Sequence, residues 1–257
     1  MELVWIALVA LGASLLTFFS GFGLGTLLTP VFLLFFPVEV AIALTGIVHF
    51  LNNVFKTGLM YRHIDWTIGL KFGFPAVIFA GLGAYLLSSV HAIPPLFTYT
   101  LGTHTYSVTP VKALIAVLMM AFALLEVVPS LQKIQFDATK LVWGGALSGF
   151  FGGLSGQQGA LRSMFLVRSG LSKEGYIATG ILIACAVDVM RLSVYFYRCA
   201  SIRLRENMGI LLVAVLSAFM GAYAGNKLLK KITLGAIQRV VAVGIFMLAI
   251  VLGMGWI

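Results

Sequence analysis

An all-α polytopic membrane fold, in two tandem repeats of about four transmembrane segments each, follows from three features of this chain. Its 257 residues are 61% hydrophobic and 10% charged, against about half and about a quarter in a soluble domain. Apolar runs of about 20 residues, the length that crosses a bilayer, recur along it. A glycine-rich interruption is also written twice: Ser20-Gly21-Phe22-Gly23-Leu24-Gly25 returns as Ser148-Gly149-Phe150-Phe151-Gly152-Gly153-Leu154-Ser155-Gly156. Each interruption opens one half, residues 1–135 and 136–257, as a glycine-broken helix or a re-entrant hairpin. Backbone freed from helical hydrogen bonds is tolerated at membrane depth only where it is buried in protein or lines a cavity. Paired interrupted segments of this kind are the layout of secondary transporters.

The segments run in order. Leu3 to Phe36 is too long for one helix; it breaks at Gly21 to Gly25 and carries Pro30 in its second piece. Its start has no preceding Lys or Arg, which favours a retained helix over a cleaved signal peptide. Val40 to Tyr61, Ile68 to Leu87 and Val111 to Val128 complete the first half. Leu141 to about Val167, broken at Gly152 to Gly159, opens the second, followed by Tyr176 to Tyr197, Met208 to Leu229 and Ala236 to Ile257. Ser88 to Pro110 has no Lys, Arg, Asp or Glu and reads as an external loop, with His91 and His104 solvated in it. Arg62, His63 and Lys71 place the preceding loop inside. In the second half, Arg198, Arg203 and Arg205 precede one helix that Lys227, Lys230 and Lys231 follow, so orientation stays open between parallel and inverted repeats.

The net charge of +9 sits mostly in short loops, where it orients the chain in the membrane rather than marking a nucleic-acid partner. Cys185 and Cys199 form no disulfide framework and no metal-ligand spacing. Glu39, Glu126, Arg168, Lys173 and Glu174 fall in loops or near segment ends. There is no Ser-His-Asp set, carboxylate pair, Walker loop or HExxH. Neither an enzyme nor a cofactor is expected.

Ionisable residues within a spanning segment cost about 2.5–3.5 kcal/mol each, which makes each a functional hypothesis. His49, Asn52, Asn53 and Lys56 fall at i, i+3, i+4 and i+7, one helical face. Such a stripe lines a polar path or hydrogen-bonds neighbouring helices. Asp188 and Arg191 occupy the matching segment of the second half, where an offset of 135 aligns Asp188 with Asn53 and Arg191 with Lys56. Both halves therefore place a cation at one position. The interruptions supply helix N-termini, which attract anions. Gly23, Gly25 and Thr26 in the first, and Ser155, Gly156, Gln157, Gln158 and Arg162 in the second, are the expected contacts. His49 and Asp188 are the expected carriers of a coupling proton, His49 because imidazole titrates nearest neutrality.

The duplicated breaks (Ser20 to Gly25 and Ser148 to Gly159), the short length and the eight apolar segments resemble the sulfite exporter family, TauE/SafE, over essentially the whole chain. One departure is the first break, where Leu24, Thr26 and Leu27 stand in place of further glycines. The resemblance implies a multi-pass inner-membrane permease of a bacterial cell, moving sulfite, thiosulfate or sulfonates such as sulfoacetate by alternating access. Its partners would be a small anionic substrate, a coupling proton or Na+, and the lipid bilayer. A cation or metal permease, and a non-catalytic membrane subunit of a larger complex, are the other readings. Oligomeric state and transport direction do not follow.

Overall fold

Buried polar and exposed apolar side chains exchange their usual places in this protein. The computed structural model describes residues 2–20, 24–90, 93–198, 207–228 and 235–256. Phe74 and Trp143 are 70% and 71% exposed, while His49, Asn52, Lys56, Asp188 and Arg191 are buried. An apolar exterior around ionisable residues is the arrangement a bilayer selects, because charge at membrane depth must face the protein interior.

The chain is mostly helical. The first half contains α1 (Glu2–Ser20), α2 (Leu24–Leu33), α3 (Val38–Met60), α4 (Trp66–Val90) and α5 (Pro110–Val127), with the one-turn α6 (Pro129–Gln132) after it. The second contains α7 (Leu141–Ser155), α8 (Gly159–Leu166), α9 (Lys173–Arg198), α10 (Met208–Leu228) and α11 (Gly235–Gly253). Among the described residues four helices are long and apolar enough to cross a membrane: those over Val40–His63, Trp66–Val90, Lys173–Tyr197 and Met208–Lys227. At 15 and eight residues, α7 and α8 are each too short to do so, since a crossing takes about 20 residues.

Local chemistry sets the helix ends. Asp65 Oδ1 accepts from Ile68 N (2.9 Å) at the start of α4, and Ser172 Oγ accepts from Gly175 N (3.1 Å) at the start of α9. Thr109 caps α5 through Lys112 N, with Pro110 in the first turn, where its missing N–H costs nothing. Gly156 closes α7 with φ 78°, a left-handed conformation that glycine adopts without a Cβ penalty.

Packing joins helices from opposite halves. α4 lies along α7, α1 along α10, α3 along α9 and α5 along α11. The α4–α7 contact is backbone to backbone. Gly145, Gly149 and Gly153, one turn apart, face the carbonyls of Phe72, Ala76 and Ala80, and a methyl group on any of the three would overlap its partner. Small residues at this spacing let membrane helices approach closely where no hydrophobic effect draws them together. Gly83 on α4 meets the Phe150 carbonyl, and Gly221 on α10 meets the Leu11 carbonyl, in the same way.

The segment expected as an external loop contains a β-hairpin, so the chain is not wholly α. β1 (Phe97–Leu101) pairs antiparallel with β2 (His104–Val108), Tyr99 opposite Tyr106. The two-residue turn places Gly102 at φ 65°, the geometry a tight hairpin requires. Tyr99 OH donates to the Met254 carbonyl (2.7 Å) and accepts from Trp256 Nε1 (2.8 Å), tying the hairpin to the residues after α11. His104 lies exposed in β2. His91, Cys199 and the cluster Arg203, Arg205, Lys230 and Lys231 lie outside the described residues.

Candidate functional site

The buried polar residues gather where α1, α2, α3, α9 and the α7–α8 junction come together. On α3, the period of 3.6 carries Thr45, His49, Asn52, Asn53 and Lys56 along one face, and all five are buried. This face meets α9, where Asp188 and Arg191 are both 0% exposed.

Asp188 is shared between the two helices. Arg191 Nε donates to its Oδ1 (2.8 Å) within α9, and His49 Nδ1 lies 2.5 Å from its Oδ2 across the interface. A carboxylate oxygen accepts, so the facing ring nitrogen carries the proton. Asn53 Nδ2 lies 3.2 Å from Nδ1 and 3.3 Å from Nε2, and with Nδ1 protonated Nε2 is the ring nitrogen able to accept from it. Asn53 also reaches Asp188 Oδ2 at 3.5 Å. The expected Asp188–Arg191 pair is therefore present, but it is one limb of a network that includes His49.

Asn52 and Lys56, at the other edge of the same face, reach α1 and α10. Lys56 Nζ donates to the Ser14 carbonyl and to Thr17 Oγ1, both at 3.4 Å. Asn52, with its amide oriented by its neighbours, donates to the Ala218 carbonyl (3.2 Å) and accepts from Lys56 Nζ (3.2 Å). Ser14 and Thr17 were not singled out from sequence. Their signal is two hydroxyls at i, i+3 on an otherwise apolar helix.

Arg191 makes the centre of the arrangement. Its Nε is taken by Asp188, but Nη1 and Nη2 are buried without a hydrogen-bond partner among the described residues. Both lie against glycine. A methyl group at Gly156 would sit 2.6 Å from Nη1, and one at Gly46 would sit 3.4 Å from Nη2. Next along the chain, all four amide atoms of Gln157 and Gln158 are buried and likewise without a partner. Such groups are costly to bury in isolation, at about 1–3 kcal/mol each. Gly25 of α2 also comes in here, facing the Gly156 carbonyl and Thr45 Cγ2. A planar fork of guanidinium donors beside amide groups is suited to an oxyanion, which it can hold through two parallel hydrogen bonds.

The family model for the sulfite exporter TauE/SafE matches residues 6–252. The chain belongs to this family. No curated protein and no solved structure matches it. As a TauE/SafE member it is a multi-pass membrane permease for sulfite or related anions, and the family's members are transporters.

The remaining expected contacts of this TauE/SafE chain sit as follows. Ser155 is buried, but its hydroxyl is used locally, donating to the Phe151 carbonyl (3.0 Å) and accepting from Gln157 N (3.3 Å). Arg162 on α8 is buried with its Nε against Gly180 of α9. Gly23 lies outside the described residues, and so does the side chain of Thr26, which belongs to α2. Thr45 is the residue of the stripe that sequence reasoning left out, one turn before His49.

Proposed function

We propose that this protein is a secondary transporter of small sulfur-containing oxyanions, such as sulfite, thiosulfate or a sulfonate, working by alternating access in a bacterial inner membrane. The observation that carries this reading is the Arg191 fork: two buried guanidinium nitrogens without a partner among the described residues, pressed against Gly156 beside the unpartnered amides of Gln157 and Gln158. In this reading Arg191, Gln157 and Gln158 hold the anion. Gly25 and Gly156 give it close access to backbone; Gly23 and the side chain of Thr26, the other contacts expected from sequence, lie outside what the structure describes. Lys56, Arg162, Asn52, Asn53 and Ser155 frame the site. Buried cations outnumber buried carboxylates three to one among the described residues, a balance suited to a negatively charged passenger.

A two-repeat reading of the chain supports alternating access. Gly83 meets the Phe150 carbonyl and Gly221 the Leu11 carbonyl, and the two contacts correspond under offsets of about 138 and 139 between the halves. Lys56 and Arg191 correspond too: the first is held at Ser14 and Thr17 near the end of α1, the second against Gly156 at the end of α7. Halves related in this manner can exchange conformations around a fixed central site. His49 and Asp188 are the proposed route for a coupling proton, with Na+ the alternative ion.

Binding to the purified protein tests the reading. Sulfite, thiosulfate or a sulfonate should raise the melting temperature by mass action, and Arg191→Gln or Gln157→Ala should remove that rise. A rise that persists unchanged in both variants would overturn the assignment of the site.

A further inference from the structure

Several helical hydroxyls among the described residues bond back to the preceding turn. Thr57 donates to the Asn53 carbonyl, Ser89 to Tyr85, Ser155 to Phe151, Ser163 to Gly159 and Ser193 to Val189, at 2.7–3.0 Å. That is the ordinary local solution for a helical hydroxyl. Thr45 does not follow it. Its Oγ1 is buried and has no hydrogen-bond partner among the described residues, although the residue is only 1% exposed. Its methyl group, Cγ2, faces Gly25, the same position that meets the Gly156 carbonyl. Its neighbour in the chain, Gly46, lies against Arg191 Nη2. Thr45 Oγ1 and the Arg191 fork are thus unpartnered groups on two different helices, Arg191 directly against Gly156 and Thr45 against Gly25, which itself meets Gly156.

We infer that Thr45 is a specificity-determining residue of this site: its hydroxyl is the donor for the third oxygen of a sulfite or sulfonate, an oxygen that a carboxylate lacks. This rests on the anion site proposed above. The Arg191 fork engages two oxygens side by side, as it would on a carboxylate. A hydroxyl arriving from α3 is a separate donor, and a third oxygen gives it an acceptor. A site built to hydrogen-bond a group discriminates strongly against a ligand that lacks it, because the buried donor is then left unpaired.

The experiment measures binding of sulfite, methanesulfonate and acetate to the full-length protein in detergent, from the ligand dependence of its melting temperature. The variants are Thr45→Val, which keeps the shape and removes the hydroxyl, and Thr45→Ser, which keeps the hydroxyl. Thr45→Val should weaken sulfite and methanesulfonate about tenfold, the size of one hydrogen bond to a charged group. Acetate should bind the wild type more weakly and change little in the variant. Thr45→Ser should restore the preference. Without ligand, Thr45→Val should melt no lower than the wild type, since the hydroxyl it removes is unpartnered, which separates lost binding from lost folding. Unchanged sulfite and methanesulfonate binding in a folded Thr45→Val protein overturns the role of Thr45 and leaves the anion site standing. An equal loss for acetate overturns the three-oxygen preference. A wild type stabilised by none of the three overturns the anion site itself, and this inference with it.

Discussion

Gly25 and Gly156 touch across the centre of the protein: a methyl group at Gly25 would lie 3.1 Å from the Gly156 carbonyl oxygen. One residue comes from the first glycine-rich interruption and the other from the second. Both leave room that any larger side chain would occupy, and Arg191 fills the other side of Gly156.

Gly156→Ala should therefore fail on two counts. Its φ of 78° is unfavourable for alanine, at about 1–3 kcal/mol, and the new methyl group would displace Arg191 Nη1 from 2.6 Å away. We expect a lower melting temperature together with loss of sulfite-dependent stabilisation. Retention of both would show that the loop relaxes freely.

The Asp188 network should be strongly coupled. Arg191→Gln alone leaves a buried carboxylate with His49 and Asn53 only, and removing one partner of a buried pair typically costs about 3–5 kcal/mol. Arg191→Gln combined with Asp188→Asn should be less destabilised than the sum of the two single changes. A double-mutant cycle from denaturation midpoints reads this, and strict additivity would rule the coupling out.

His49 should separate coupling from binding. Its Nδ1 faces Asp188 and its Nε2 faces Asn53, with Arg191 on the same carboxylate. His49→Gln keeps a hydrogen-bonding group but carries no titratable proton. In proteoliposomes it should retain downhill anion flux and lose acceleration by an imposed pH gradient. A gradient response equal to wild type would assign coupling elsewhere.

The glycines divide into two classes by what surrounds them. Gly149→Ala would drive a methyl group into the Ala76 carbonyl and should sharply reduce the yield of folded protein. Gly12 and Gly58 have nothing within 4 Å of an added methyl group, and alanine there should be neutral or stabilising by about 0.5–1 kcal/mol. Thermal melting of the three variants side by side distinguishes the classes.

Much of the helix plan could be read from hydropathy. The segments predicted as Val40 to Tyr61 and Tyr176 to Tyr197 correspond to α3 and α9, because a lone apolar run has few other ways to satisfy its backbone in lipid. The hairpin lies in a segment whose lack of charge reads as a loop. Yet Phe97-Thr98-Tyr99-Thr100-Leu101 alternates aromatic or aliphatic residues with threonine before Gly102, which is a strand signal. The stripe on α3 was legible from its spacing, but not its partners. That His49 would meet Asp188, while Lys56 turned to Ser14 and Thr17, depends on which helices pack together, and no local pattern encodes that. Thr45 carries no sequence signal because a threonine in an apolar helix is inexpensive, and only its lack of any hydrogen-bond partner among the described residues distinguishes it.

The pairing of α1 with α10 bears on how the chain is made. α1 finds its main neighbour only after α2 to α9 have been synthesised, and Gly221 must then seat against the Leu11 carbonyl. Earlier still, until α9 is made, His49 and Asn53 on α3 have no Asp188 beside them. The first half cannot reach its final packing as a separate fragment, so an early stop would strand a set of inserted helices waiting for a counterpart, which cellular quality control could recognise by the polar side chains they leave facing the bilayer.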